Sequence, residues 1–241
     1  MRVLELWRYP VKSLQGERLA EADVGVLGLA GDRRWALFDR DTGMGLTARR
    51  VPELLFGSAR VRPDGGVEVV LPDGTVTTDA DALSDWLGRR VELRAAPDDG
   101  AAPPTYETAV DEDAPDPAEW RQWEGASGPF HDSPRIRVSL VSTGTLGAWD
   151  RRRFRANVVL DGEGEDRLQG REAVLGGVRL RFGVPIPRCV MTTRPQPGGI
   201  GRDTSVLKTI HRERGGLLAV RGAVVEPGTV RVGDVLGPTA D

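Results

Sequence analysis

At 241 residues, with 39% hydrophobic and 29% charged content, the chain has the make-up of an ordinary globular protein with one large domain or two small ones. A net charge of −3 supplies no global basic field, which argues against a dedicated nucleic-acid binder. A single cysteine excludes an internal disulfide and an iron–sulfur cluster of the chain's own, and two histidines leave little for a structural zinc site.

The first predicted strand is "RVLELWRY" (2–9), where apolar and polar residues alternate. "RWALFD" (34–39) reads as another. "SARVRPDGGVEVVLPDGTVTT" (58–78) places PDGG and PDG turn signals between β-branched runs and predicts a hairpin series. "DADALSDWLG" (79–88) predicts a short helix, opened by acids and stopped by Gly88, with Leu83, Trp86 and Leu87 on one face. "RVELRAA" (90–96) returns to strand. From Pro97 to Glu119 the composition turns proline-rich and acidic, with no Lys or Arg, which predicts a linker or exposed loop.

Beyond Pro134, "RIRVSLVS" (135–142) and "FRANVVLDG" (154–162) predict strands on either side of a short helix or turn at "TGTLGAWDRR". "AVLGGVRLRFG" (173–183) reads as two strands around a Gly-Gly turn. "SVLKTIHRER" (205–214) is amphipathic, with Val206, Leu207 and Ile210 inward. The closing "LLAVRGAVVEPGTVRVGDVLG" (217–237) predicts a pair of strands joined at EPGT. Many short strands with two or three short helices predict a mainly β, barrel-like fold, α+β in class. No run approaches the roughly 18 apolar residues of a membrane span, and the start lacks a signal-peptide pattern. With a free thiol, these features predict a cytoplasmic protein that does not engage membranes.

"GGIGR" (198–202) lacks the spacing of a dinucleotide fingerprint and reads as a turn, and no phosphate loop or nucleophile elbow is present. "HDS" (131–133) holds triad residue types, but sequence neighbours cannot form the triad geometry, so it too reads as a local turn. Cys189 sits in "PIPRCVMTT" (185–193). A lone cysteine is commonly a small buried hydrophobe. Here Arg188 favours thiolate, and Pro185 and Pro187 predict a stiff loop or edge that interrupts strand pairing. Residues 179–214 carry eight Lys/Arg against two acids. A thiolate in a basic setting suits an anionic, thiophilic ligand: soft sulfur for a transition metal, arginines for phosphate. Only two of the 33 basic residues are lysines, Lys12 and Lys208, which marks both for inspection.

Several segments together resemble the MOSC family, the domain named after the C-terminal part of molybdenum cofactor sulfurase. "YPVKSLQGERLAEADVGVLGLAGDRRWALFD" and "LTARRVPEL" are similar to the β-barrel domain that commonly precedes MOSC. "RFRANVVLDG", "EDRLQG", "PIPRCVMTT" and "GTVRVGDVL" resemble MOSC itself. The likeness spans almost the whole chain and is strongest to the amidoxime-reducing members. It implies an N-terminal β-barrel-like domain (1–96) packed with a β-barrel MOSC domain (135–241), joined by 97–134. It also implies a molybdenum cofactor, one Mo-molybdopterin with its metal on Cys189. By the same resemblance, Lys12 and Ser13 hold the pterin's phosphate end. Arg33 follows from the Asp-Arg motif, Arg155 and Asn157 from the family's FRPN motif, and Arg188 from the position before the cysteine. Thr47 and Arg49 are expected to line the same site. Ala156 stands where the family often has proline, and Leu168 replaces an aromatic that shapes the rim. Glu165 and Asp166 read either as an acidic pair near the metal or as a turn. The family also carries a general association with pyridoxal phosphate binding.

The implied activity is reduction of small N-oxygenated molecules such as amidoximes and hydroxylamines. Because the cysteine count leaves no second redox centre, electrons are expected from a separate partner, a ferredoxin-like protein or a flavin reductase. Two rivals stand beside it. One is a carrier that uses Cys189 as a persulfide or cofactor ligand; the other is a structural β protein with an inert thiol.

Overall fold

The computed structural model describes residues 1–97, 102–111 and 118–239. Strand β1 (Val3–Arg8) forms where expected, but it buries Val3 and Leu6, three positions apart, because a register shift between Val3 and Glu5 interrupts the simple alternation. It turns through the PVKS segment into β2 (Glu17–Leu19), followed by β3 (Glu21–Gly25) and β4 (Gly28–Leu29). Then come β5 (Trp35–Asp39), the meander β6 (Ser58–Val61), β7 (Val67–Val70) and β8 (Val76–Thr77), helix α1 (Ala80–Leu87) and β9 (Val91–Ala95). Asp79 caps α1 by accepting from the backbone N–H groups of Asp81 and Ala82, and Gly88 closes it with φ 61°. Both ends thus carry the chemistry that the sequence signals.

The acidic, proline-rich segment departs from expectation. It contains β10 (Thr105–Ala109) and β11 (Trp120–Glu124), paired in antiparallel register from Thr105↔Glu124 to Ala109↔Trp120. The reason is local: Tyr106, Trp120 and Trp123 supply the bulky apolar surface that the prolines obscure in the composition. Residues 98–101 and 112–117, which the sequence assigns to the same loop, lie outside the described residues.

The second half supplies β12 (Val138–Ser142), α2 (Thr143–Leu146), β13 (Val158–Leu160), β14 (Glu172–Leu175), β15 (Val178–Pro187), α3 (Ser205–Arg214), β16 (Leu217–Glu226), β17 (Gly228–Arg231) and β18 (Leu236–Gly237). An eight-stranded sheet runs in the order β18-β14-β15-β16-β12-β13-β1-β2. The class is therefore mainly β with few short helices, as expected. Two details differ. β17 does not close a hairpin on β16; it pairs with β3, Gly228↔Val24 through Arg231↔Glu21. Pro185 and Pro187 also do not end strand pairing. β15 continues through them, Pro185↔Val220 and Pro187↔Leu217, with register shifts at each proline. β14 pairs only with Val178–Arg181, so the proline end of β15 has β16 as its one paired strand, an edge position that tolerates proline.

Strands from both ends of the chain share one core. Val3, Leu6, Ala22, Val24 and Leu29 pack with Val138, Leu140, Val158, Leu180, Phe182 and Val220. A second core joins Val11, Leu14, Leu37, Leu46, Leu54, Leu55, Val69, Leu83 and Val91. Each fully buried Leu or Val contributes about 1.5–3 kcal/mol. The site described below lies between the first elements and the strand ends of the second half.

Candidate functional site

The PVKS segment leaves β1 as a tight turn, in which Leu14 N donates to Val11 O at 3.2 Å. Ser13 sits in it at φ 71°. Arg33 has φ 52°, Arg155 φ 53° and Ala219 φ 69°, and these four are the non-glycine residues at positive φ among those described. Such backbone costs about 1–3 kcal/mol per residue and persists where surrounding contacts impose it. Ser13, Arg33 and Arg155 line one cleft, which encloses about 840 Å³ counted to its open mouth.

Of the nine residues expected at the site, eight line that cleft: Lys12, Ser13, Arg33, Thr47, Arg49, Arg155, Arg188 and Cys189. Asn157 does not. It is buried on β13's approach, where its Oδ1 accepts from Ser139 N (3.2 Å) and Ser139 Oγ (2.9 Å) and its Nδ2 donates to Trp7 O (3.2 Å). Its place is to tie β1, β12 and β13 together behind the wall. Glu165 and Asp166 also lie elsewhere, in a helical turn. Glu165 accepts from Ser142 and Thr145, and Asp166 pairs with Arg214.

Six cationic side chains line the cleft: Lys12, Arg33, Arg49, Arg153, Arg155 and Arg188. The lining carboxylate is Asp132. Lys12 is 6% exposed; its Nζ donates to Phe130 O (3.0 Å) and to Asp132, and lies 4.7 Å from the Tyr106 ring centroid. Burial lowers its pKa, with Asp132 opposing. Burial alone would raise Asp132. Lys12 and Arg49 override this and hold its carboxyl well below the usual carboxylate range, although the side chain is nearly half exposed. Arg155 donates to Leu14 O (2.5 Å) and covers the Tyr9 ring, and burial pushes it down to about 10. Arg33 pairs with buried Asp32 and donates to Arg155 O (3.3 Å).

Cys189 is partly exposed at the start of the turn Val190–Thr193. Its carbonyl accepts from Thr192 N (3.1 Å) and Thr192 Oγ1 (3.0 Å). Arg153 clamps that turn, donating to Thr192 O (3.0 Å), Arg194 O (3.3 Å) and Gly201 O (2.8 Å). The guanidinium that hydrogen-bonds the sulfur is Arg49's; neighbouring Arg188 interacts with Cys189 through charge alone. Arg49 Nε lies 3.4 Å from Sγ, and its Nη2 reaches Asp132 at 2.9 Å. Arg188 instead donates to Leu218 O (2.8 Å) and Phe154 O (3.1 Å), and burial pushes it down to about 10.

Three polar atoms of lining residues are buried without a hydrogen-bond partner: Thr47 Oγ1, Arg188 Nη2 and His131 Nε2. Ser13 Oγ accepts from Ala48 N (3.0 Å), which leaves its own proton for a ligand acceptor. The arrangement suits a polyanion with acceptor atoms at one end and a thiophilic centre at the other. Sequence reasoning misses His131, Asp132 and Arg153. "HDS" reads as a mere turn, and no spacing rule links Asp132 to Lys12 across 120 residues.

Comparison with known proteins places the chain in a family. Residues 1–97 match the MOSC N-terminal beta barrel domain, and residues 128–237 match the MOSC domain. Mitochondrial amidoxime-reducing component 1 of Mus musculus is 26% identical over 96% of this chain and 80% of its own length. The Homo sapiens protein of the same name is 26% identical over 96% and 81%. The YUAD protein from Bacillus subtilis aligns over 99% of this chain and 96% of its own, at 12% identity and a TM-score of 0.42, too low to carry any argument. Two family models in chain order cover nearly the whole sequence, and the chain belongs to the MOSC family, with the N-terminal β-barrel domain ahead of the MOSC domain.

Proposed function

We propose that the cleft binds a molybdenum cofactor, with the metal on Cys189, and that the protein reduces small N-hydroxylated molecules such as amidoximes and hydroxylamines. The observation that carries this reading is the joining of a partly exposed thiol to a six-cation wall through Arg49. The buried unpartnered atoms of Thr47 and Arg188 add donors on the same wall. The relatives named amidoxime-reducing components support the choice of reaction.

When bound, the cofactor would supply two-electron redox and oxygen-transfer chemistry. The chain's residues do the rest. Lys12, Ser13, Arg33 and Arg155 hold the phosphate end by charge-assisted hydrogen bonds. Cys189 supplies a soft thiolate to the metal, and Arg49 fixes its orientation. Asp132 stays ionised between Lys12 and Arg49, so it orders those two cations and is no proton source near neutral pH. The reaction balances as R–NH–OH plus two electrons and two protons giving R–NH₂ and water, with both protons drawn from water at the open mouth. With one cysteine the chain has no cluster of its own, so a separate ferredoxin-like or flavin protein delivers the electrons. The free thiol fits a reducing compartment such as the cytoplasm. No helix among the described residues is long and apolar enough to cross a membrane.

The test is metal content by mass spectrometry on protein from a cofactor-producing host, beside turnover of an aromatic amidoxime with reduced viologen. Wild type is expected to carry molybdenum and turn over, and Cys189→Ser to do neither. Wild type without molybdenum overturns the reading. Bound molybdenum with no turnover on any N-hydroxylated substrate assigns a carrier instead.

A further inference from the structure

A second concavity, about 1000 Å³ counted to its open mouth, lies on the far side of the Cys189 turn, lined by Val190, Thr193, Thr204, Leu207, Lys208, His211 and Arg212. The turn itself is the partition. Cys189, Met191 and Thr192 face the cationic cleft, whereas Val190 and Thr193 face this groove. On α3, Val206 and Ile210 enter the core under β16, while Leu207 and Val190, only 4% and 2% exposed, close the bottom of the groove. Lys208, His211 and Arg212 stand at i, i+3 and i+4 on one exposed helical face. None of the lining residues is a carboxylate.

Resting on the reductase reading above, we propose that this groove docks the electron donor, and that the donor is an acidic one-electron carrier protein. An apolar floor under a cationic rim selects an acidic partner with a small apolar patch around its redox centre. Such redox encounters bury little area and are steered by charge. Arg212 pairs with exposed Glu213, but a surface pair of that kind is weak and exchanges readily for a partner's carboxylate. Val190 follows Cys189 directly, so the groove floor lies one peptide unit, about 3.8 Å between Cα atoms, from the thiol-bearing residue. The substrate mouth stays free while the carrier is seated. Two successive one-electron deliveries from the reduced carrier, each leaving it oxidised by one electron, balance the two electrons of one turnover.

The test pairs Lys208→Glu/Arg212→Glu with wild type. Neither residue touches the cationic cleft. The probes are an acidic [2Fe–2S] ferredoxin and, as a charge control, a basic cytochrome c. Calorimetry or NMR titration reads Kd directly, and viologen-driven turnover reads the chemistry without docking. Ferredoxin is expected to bind wild type, with a Kd that rises about tenfold in the double variant and rises with salt. Cytochrome c is expected not to bind, and viologen-driven turnover to be equal in both proteins. Equal ferredoxin Kd values, no ferredoxin binding to wild type, or binding of cytochrome c at the same face overturns the proposal. A double variant that loses viologen-driven turnover also overturns it, since the residues would then act through structure. Wild type without viologen-driven turnover sinks the reductase reading instead, and the binding titration still separates that failure from failure of the docking site.

Discussion

His131 is 2% exposed, faces the cationic cleft, and has an unpartnered Nε2. Burial, with Arg33 adding to it, pushes its pKa down to about 3 from 6.5. Below pH 6.5 the unfolded chain takes up a proton that the folded chain refuses, so folding stability is lost as pH falls from about 6.5 toward 3. Between pH 7 and 5 this one group costs about 2 kcal/mol. Urea unfolding of His131→Asn at the two pH values is expected to show that much less acid sensitivity than wild type; an unchanged difference would exclude the burial account. Arg49 makes a second prediction. Its planar fork reaches Sγ and Asp132 together, and a lysine ammonium is a single point charge. Arg49→Lys is expected to lower molybdenum content several-fold while melting within a few degrees of wild type. Charge and thiol chemistry alone point to Cys189 with Arg188 and mark Lys12 by its rarity; the other expected lining residues are legible in the amino-acid sequence only through the family's motifs. Asp132 and His131 are not legible there, because the partners of Asp132 come from elements more than 80 residues away and the burial of His131 depends on the same distant walls.

At the scale of elements, local signals and long-range pairing part company. The meander β6–β8, helix α1 and the β14–β15 hairpin each follow from turn residues, caps and alternation within a dozen residues. The partner of β17 does not: it is β3, about 200 positions earlier, and nothing local encodes that choice. The β10–β11 hairpin is hidden by its proline-rich flanks, yet it builds the floor beneath Lys12 through Tyr106 and Trp123. Gly45 is the seam that holds it, bridging to Phe38 on β5 and to Tyr106 on β10. A Cβ there would lie 2.3 Å from Tyr106 Cε1, on a ring that stacks with Trp123 at 5.0 Å and has little room to move. Gly45→Ala is thus expected to cost about 1–3 kcal/mol by overpacking. It should also weaken cofactor retention, because the Tyr106 ring carries Lys12; calorimetric melting and metal content read the two effects separately.

The whole molecule shows why two family domains in sequence do not make two independent units in space. β1 pairs with β13 in the eight-stranded sheet and β3 with β17 in a separate three-stranded one, so both sheets that hold second-half strands also take strands from the first 25 residues. Gly28 also approaches the backbone of Arg137 so closely that a Cβ would lie 2.4 Å from its carbonyl oxygen. The cleft has the same dependence. Lys12, Ser13, Arg33, Thr47 and Arg49 come from the first half, while Asp132, Arg155, Arg188 and Cys189 come from the second. A fragment of residues 128–241 keeps the thiol but exposes the faces of Leu140, Val158, Leu180 and Phe182 that Val3, Leu6, Val24 and Leu29 cover. It also leaves an unpaired edge at β13, the kind of edge that invites aggregation. Each lost Leu or Val contact surface forfeits about 1.5–3 kcal/mol, and four such residues exceed the margin of many domains of this size. The fragment is expected to be aggregated or molten by circular dichroism and to bind no molybdenum. A 30–241 fragment is expected to fail equally, although it keeps most of the N-terminal barrel, because it too lacks β1–β4. Cooperative melting of either fragment near the full-length temperature would show that the shared sheet is dispensable and that the cleft is assembled by docking of two self-sufficient halves.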